Sequence, residues 1–206
     1  MKAFRPRGEV AVAELDHDER AVVARIVADV GLLLGGDVFG MERAPWETEQ
    51  DADILDHLTS FEAALAEPDD PAILRLLPNA APTDREAAEE FRRYTEQDLR
   101  SLKVARLRRI WAALSEDGPE WEVPRDEALG TAAALTDVRL VLASRLGIET
   151  DEDAERLRED LARARSDEPD GDEARERVWL GMLYQALTWL EDSLVAFLMG
   201  EEADDE

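Results

Sequence analysis

Between Arg92 and Arg109 the chain carries seven positive charges against only Glu96 and Asp98, a local balance of +5 in a protein of net charge −26. On a helical wheel Arg92, Arg93, Arg100 and Lys103 fall within about 100° of one another, so they should share a face. Guanidinium groups take carboxylates through two parallel N–H donors, which makes such a face a docking site for an acidic segment of a partner protein. It could equally serve as counter-charge for the chain's own carboxylates, and 50 acidic residues make that internal use the favoured one. Arg139 is a sharper case. It falls within the apolar stripe of Ala132, Leu135, Leu142 and Leu146, where an unpaired guanidinium would cost several kcal/mol, roughly. It must reach a carboxylate, with an acid of the long helix such as Glu96 or Asp98 expected, or snorkel out to solvent, or else bind an anion.

Metal and catalytic chemistry find little support. Glu14-Leu-Asp-His17 has the Glu-x-x-His spacing of carboxylate-bridged metal bundles, but those need two such motifs and the second is missing. His57, near Asp53, reads as a surface residue. Without cysteine, thiol catalysis, disulfides and zinc-thiolate sites are excluded. No Gly-rich phosphate loop, nucleophile elbow or triad spacing is visible, so neither a catalytic residue nor a cofactor is expected. An acidic surplus of this size disfavours nucleic acid and anionic membranes as partners. Met1 to Glu14 lacks the apolar stretch of a secretory signal, and the expected location is the cytoplasm. Only Lys2 and Lys103 are lysines beside 22 arginines, a bias that fits a GC-rich genome. Salt adaptation is a second source for the acidic excess.

The elements that must hold these residues are mostly helical. Lys2 to Leu15 reads as a hairpin turning at Pro6 to Gly8. Asp16 with Glu19 has the form of a capping box, opening a helix striped by Val22, Val23, Ile26, Val27, Val30, Leu33 and Leu34 and ended by Gly35-Gly36. A second amphipathic helix carries Ile54, Leu55, Leu58, Phe61 and Leu65. A short one, Ala72 to Leu77, follows Pro71. Thr83 with Glu86 opens the longest, about Asp84 to Ser115, whose apolar stripe changes face midway. Trp121-Glu-Val can add a strand to the hairpin. A helix from about Arg125 to Leu146 stops at Gly147, and a sparse one near Asp153 to Arg165 is anchored by Leu157 and Leu161. That last lies in a run, Glu149 to Glu176, with 13 acids and 5 arginines.

Val178 to Met199 is the most apolar stretch, with 16 of 22 residues apolar over an arc of roughly 200°. It should be enclosed on two or three sides, and Gly200 supplies its stop. Gln185, Glu191 and Asp192 interrupt it too often for a membrane span. Trp179, Trp189 and Phe197 exceed what a small core needs, so they are the candidate surface for a homodimer as well as plain core.

Three blocks together resemble a known family. They are Leu74-Arg-Leu-Leu-Pro78 with Glu90 to Arg100 and Lys103; Leu135-Thr-Asp-Val-Arg139 through Ile148; and Trp179-Leu-Gly-Met-Leu-Tyr-Gln-Ala-Leu187. The chain from about Phe4 to Leu198 resembles the Domain of Unknown Function family numbered two thousand and seventeen, of high-GC bacteria. The resemblance implies that Arg92, Arg93, Thr95, Asp98, Arg100, Lys103, Asp137, Arg139, Arg145 and Trp179 occupy motif positions. It implies no established activity, only a genomic setting beside a Clp-protease adaptor and a sulfur-carrier system.

The expected protein is all-α: a single-domain helical bundle of about six helices over residues 1–200, with a small N-terminal β-hairpin appendage and a disordered acidic tail at 201–206. Its expected role is a non-enzymatic, regulatory or adaptor-type interaction protein. Two alternatives stay open. One is a small-anion binder or enzyme using Arg92, Arg93, Arg100, Lys103 and Arg139; the other is a transcription regulator.

Overall fold

The computed structural model describes residues 1–36, 39, 70–79, 81, 83–164 and 170–200, with the side chain of Arg93 excepted. The expected helix around Ile54 to Leu65, His57 and the tail at 201–206 lie outside the described residues.

A three-stranded antiparallel sheet in the order β1-β2-β3 forms from β1 (Arg5–Arg7), β2 (Val10–Glu14) and β3 (Glu120–Pro124). Ala11 pairs with Val123 and Ala13 with Trp121, so the alternating small and large residues of β2 and β3 point the same way, into the core. Phe4 meets the buried Trp121 edge-on at 5.1 Å. Its N–H donates to Ser193 Oγ at 3.0 Å, which ties the hairpin to the last helix.

Six helical units accompany the sheet among the described residues. Helix α1 (His17–Leu33) opens on a full capping box in which Asp16 and Glu19 each accept from the other's backbone N–H. Short α2 (Pro71–Leu76) is capped by Asp70. The long helix is continuous but not uniform: α3 (Arg85–Phe91), a π-helical turn (Arg92–Glu96), then α4 (Gln97–Ser115). Its cap is Asp84, whose side chain accepts from the Ala87 N–H, one residue beyond the expected Thr83. The wider π turn re-phases the residues after it, which is the physical reason the apolar stripe changes face. Leu107, Ile110 and Leu114 beyond the turn are buried, whereas Phe91, Tyr94 and Leu102 are exposed.

Helix α5 (Arg125–Leu146) is the central element, and it ends at left-handed Gly147. It runs antiparallel to α7 (Asp172–Met199): the Arg125 guanidinium donates to Phe197 and Leu198 carbonyls at one end, and Arg177 donates to the Leu146 carbonyl at the other. Acidic α6 (Asp151–Ala164) seats only Leu157 and Leu161, in a small core of its own with Ala143, Leu146 and Ile148. Gly181 of α7 lets it approach, since a Cβ there would lie 2.9 Å from Leu157 Cδ1. Most of the remaining buried apolar side chains form one larger core shared by the sheet, α1, α2, α4, α5 and α7. Among the described residues no helix is long and apolar enough to cross a membrane.

Candidate functional site

Helix α5 lies between α4 and α7, and three of its polar residues reach to both sides. Asp137, only 3% exposed, turns towards α4, where Lys103 Nζ donates to its Oδ1 at 2.5 Å. Burial raises the Asp137 pKa above the ordinary carboxylate value, while Lys103 pulls it back and Arg106 adds a weaker pull. Its Oδ2 is buried without a hydrogen-bond partner. Thr136 and Arg139 turn towards α7 and share Glu191: the hydroxyl donates to Oε1 and the guanidinium to Oε2, both at 2.6 Å. Arg139 also lies over the Tyr184 ring at 5.5 Å. Burial works against its charge, but Glu191 and, more weakly, Tyr184 together outweigh it and hold its pKa above the usual value. The carboxylate partner of Arg139 is thus Glu191, not the expected Glu96 or Asp98. Glu191 interrupts the apolar stretch of α7, and the antiparallel seating on α5 turns it towards Thr136 and Arg139.

Three of the seven cations of the long helix are paired from within the chain, by Glu96 and Asp137. Glu96 stands at the end of the π turn and accepts from Arg100 Nε and Nη2 through one oxygen, at 2.9 and 2.8 Å. Arg92 Nε lies 3.2 Å from its other oxygen. Arg100 also reaches the Leu34 carbonyl at the end of α1. Lys103 belongs to Asp137, as above. Arg93 is placed only by its backbone, within the π turn. Asp98 is exposed, and among the described side chains no contact draws it to this group. The structure therefore brings Arg92, Arg100 and Lys103 onto carboxylates of the protein itself and leaves Asp98 outside.

A residue that the sequence reading passed over holds the opposite end of α4. Arg20 of α1 is 5% exposed and meets no carboxylate among the described residues. Its guanidinium donates to four carbonyls instead: Nε to Leu114, Nη1 to Glu120, and Nη2 to Ala113 and Glu116, at 2.6–3.2 Å. A cation at a helix C-terminus satisfies orphan carbonyls and the macrodipole together. The signal was present, since Arg20 falls in line with Val23, Val27 and Val30 on the apolar stripe. Beside it opens a cavity of about 360 Å³ lined by Asp16, His17, Ala21, Ala24 and the 114–119 turn. Glu14 is bound to Lys2 and His17 is exposed, so the Glu-x-x-His pair does not converge. Among the described residues no group of three His, Cys, Asp or Glu side chains is placed to hold a metal ion.

On α7, Trp179, Met182 and Trp189 are 46%, 46% and 49% exposed. Phe197 is different: it is 4% exposed, under the Arg125 guanidinium at 5.1 Å. It therefore leaves the expected dimer surface and joins the core, because it points at the start of α5 and the sheet.

The family model for a domain of unknown function (DUF2017) matches residues 1–198, nearly the whole chain. The chain belongs to the DUF2017 family. No curated protein and no solved structure matches it. In this DUF2017 chain the motif positions are mainly joints between helices. Arg145 forks onto Asp70 at 3.1 and 2.6 Å, holding the start of α2 to the end of α5. That contact lowers the Asp70 pKa. Thr95 bonds back to the Phe91 carbonyl inside the π turn. Trp179 is the motif residue that faces outward on α7.

Proposed function

We propose that the protein is a non-enzymatic interaction protein of the cytoplasm, adaptor-like or regulatory, that meets its partner through the outer face of α7. One observation carries this reading: two indoles and a thioether stand about half exposed along one helix of an otherwise strongly charged chain. Tryptophan and methionine are enriched where protein interfaces concentrate their binding energy. The competing use of Arg92, Arg100, Lys103 and Arg139 as an anion site would require an incoming anion to displace Glu96, Asp137 or Glu191. Removing one partner of such a pair leaves a poorly solvated charge behind, which argues against that use and equally against docking an acidic segment there. A transcription regulator would meet a phosphate backbone with a net charge of −26.

The test is a photo-crosslinking residue placed at Trp189, and separately at exposed Leu129 of α5 as a control, in the native host. A discrete adduct with one protein species from Trp189 and none from Leu129 supports the reading; a Clp-protease adaptor or a sulfur-carrier component is the first species to look for. Crosslinking that is absent or equally diffuse at both positions overturns it.

A further inference from the structure

We infer that the α7 face is shaped for a basic amphipathic helix, whose apolar side covers Trp179, Met182 and Trp189 and whose cationic residues meet carboxylates at both ends of the stripe. This rests on the interaction role proposed above and names its partner's chemistry.

Trp179, Met182 and Trp189 are separated by three and seven residues, so they form a ridge about 15 Å long at 1.5 Å per residue. The main-chain donors and acceptors of α7 are spent within the helix, so the face offers side chains only. That favours packing of a second helix over strand addition. Carboxylates mark the ends: Glu176 lies one turn before Trp179 and Asp192 one turn beyond Trp189, both exposed. Neither is drawn into an ion pair among the described residues. They are free to receive lysine or arginine placed a turn beyond a partner's apolar anchors.

A second copy of this chain fits poorly. A whole tryptophan buries about 150–250 Å², so half-exposed indoles and one methionine offer roughly 300 Å² per protomer. A stable interface needs about 800 Å² per partner. An antiparallel two-fold pairing would also lay Glu176 against Asp192 of the other copy, twice over, between chains of net charge −26 each. A basic helix turns the same end charges from repulsive to attractive, and the neighbouring acidic α6 adds to the attraction.

The experiment uses the full chain and three synthetic peptides: a helix with leucines on one face and lysines on the other, the same helix with glutamates for lysines, and oligolysine. Tryptophan emission and peptide anisotropy report binding, and sedimentation reports self-association. The leucine–lysine helix should bind. Glu176→Gln with Asp192→Asn should weaken it about tenfold at low salt and much less at high salt. Trp179→Ser with Trp189→Ser should weaken it more than tenfold, with the thermal midpoint confirming the fold. The leucine–glutamate helix and oligolysine should bind at least tenfold more weakly than the leucine–lysine helix. Equal binding by the tryptophan variant would mean bulk charge attraction and would overturn the inference. So would equal binding of the leucine–glutamate helix, or a dimer of the free protein that Trp189→Ser dissociates. Failure here with a discrete Trp189 crosslink in the host removes only the partner's chemistry; failure of both removes the face itself.

Discussion

Arg139 on α5 and Glu191 on α7 form a 2.6 Å ion pair at the junction of the two most extensively packed helices. Both side chains are less than a quarter exposed, so little solvent screens the pair. Glu191→Leu leaves Arg139 with only the Tyr184 ring and should cost about 2 kcal/mol, below the value for a wholly buried pair. Arg139→Leu should cost less, because Glu191 keeps the Thr136 hydroxyl. The double variant should come out close to Arg139→Leu alone, since the two losses are not independent. Urea denaturation of the four proteins measures the coupling.

Arg20 should be among the most sensitive residues to replacement. Arg20→Met leaves four carbonyls at the end of α4 and the following turn without their donor, at a cost of about 2–4 kcal/mol. Arg20→Lys should recover less than half of this, because an ammonium cannot span the planar fork of acceptors. Hydrogen exchange should show the loss concentrated at residues 113–120, and uniform protection there would contradict the capping role.

Two carboxylates should respond to pH with opposite signs. Asp137 has a raised pKa in the fold, so its contribution is fully present below the unfolded value near 3.9 and is lost as pH rises through the raised value. Asp70 has a lowered pKa, so its contribution is present above about 3.9 and is lost as pH falls through its folded value. Asp137→Asn should therefore remove a gain in stability on mild acidification. Asp70→Asn should instead cost a few tenths to about 1 kcal/mol at neutral pH, and nothing at low pH, for a pair that is partly exposed. Denaturation midpoints between pH 3 and 8, roughly the window in which both groups change state, test the signs.

Gly181 should tolerate one methyl group and no more. In Gly181→Ala the new Cβ meets Leu157 Cδ1 at 2.9 Å and Leu161 at 3.2 Å, both flexible ends that can re-rotate. The helix gains up to about 1 kcal/mol of propensity, so the net change should be near zero. Gly181→Leu should push α6 off α7. Proteolysis within Asp151–Ala164 should then quicken while the main core keeps its cooperative unfolding.

Much of the architecture was legible in the sequence because it is written locally. The period of Val23, Val27 and Val30, the Asp16–Glu19 box and the glycines after Leu146 and Met199 act within a few residues of themselves, whereas the hairpin turn falls at Gly8-Glu9 and not at Pro6 to Gly8, because Pro6 and Arg7 pair with Ala11 and Val10 as strand residues. The third strand was also readable, since Trp121 and Val123 alternate with charges. That Arg139 must be paired followed from its place on an apolar stripe, and Arg20 met the same criterion unnoticed. Which group pairs with which did not follow. Glu191 lies 52 residues from Arg139, and Lys103 lies 34 from Asp137. Contacts across such separations are set by how α4, α5 and α7 pack, and helix rotation about its axis decides whether a carboxylate faces solvent or a neighbour. For the same reason the sequence could count Trp179, Trp189 and Phe197 as surplus apolar surface but not sort them. Only the seating of α7 on α5 and the sheet buries Phe197 and leaves the two tryptophans in water.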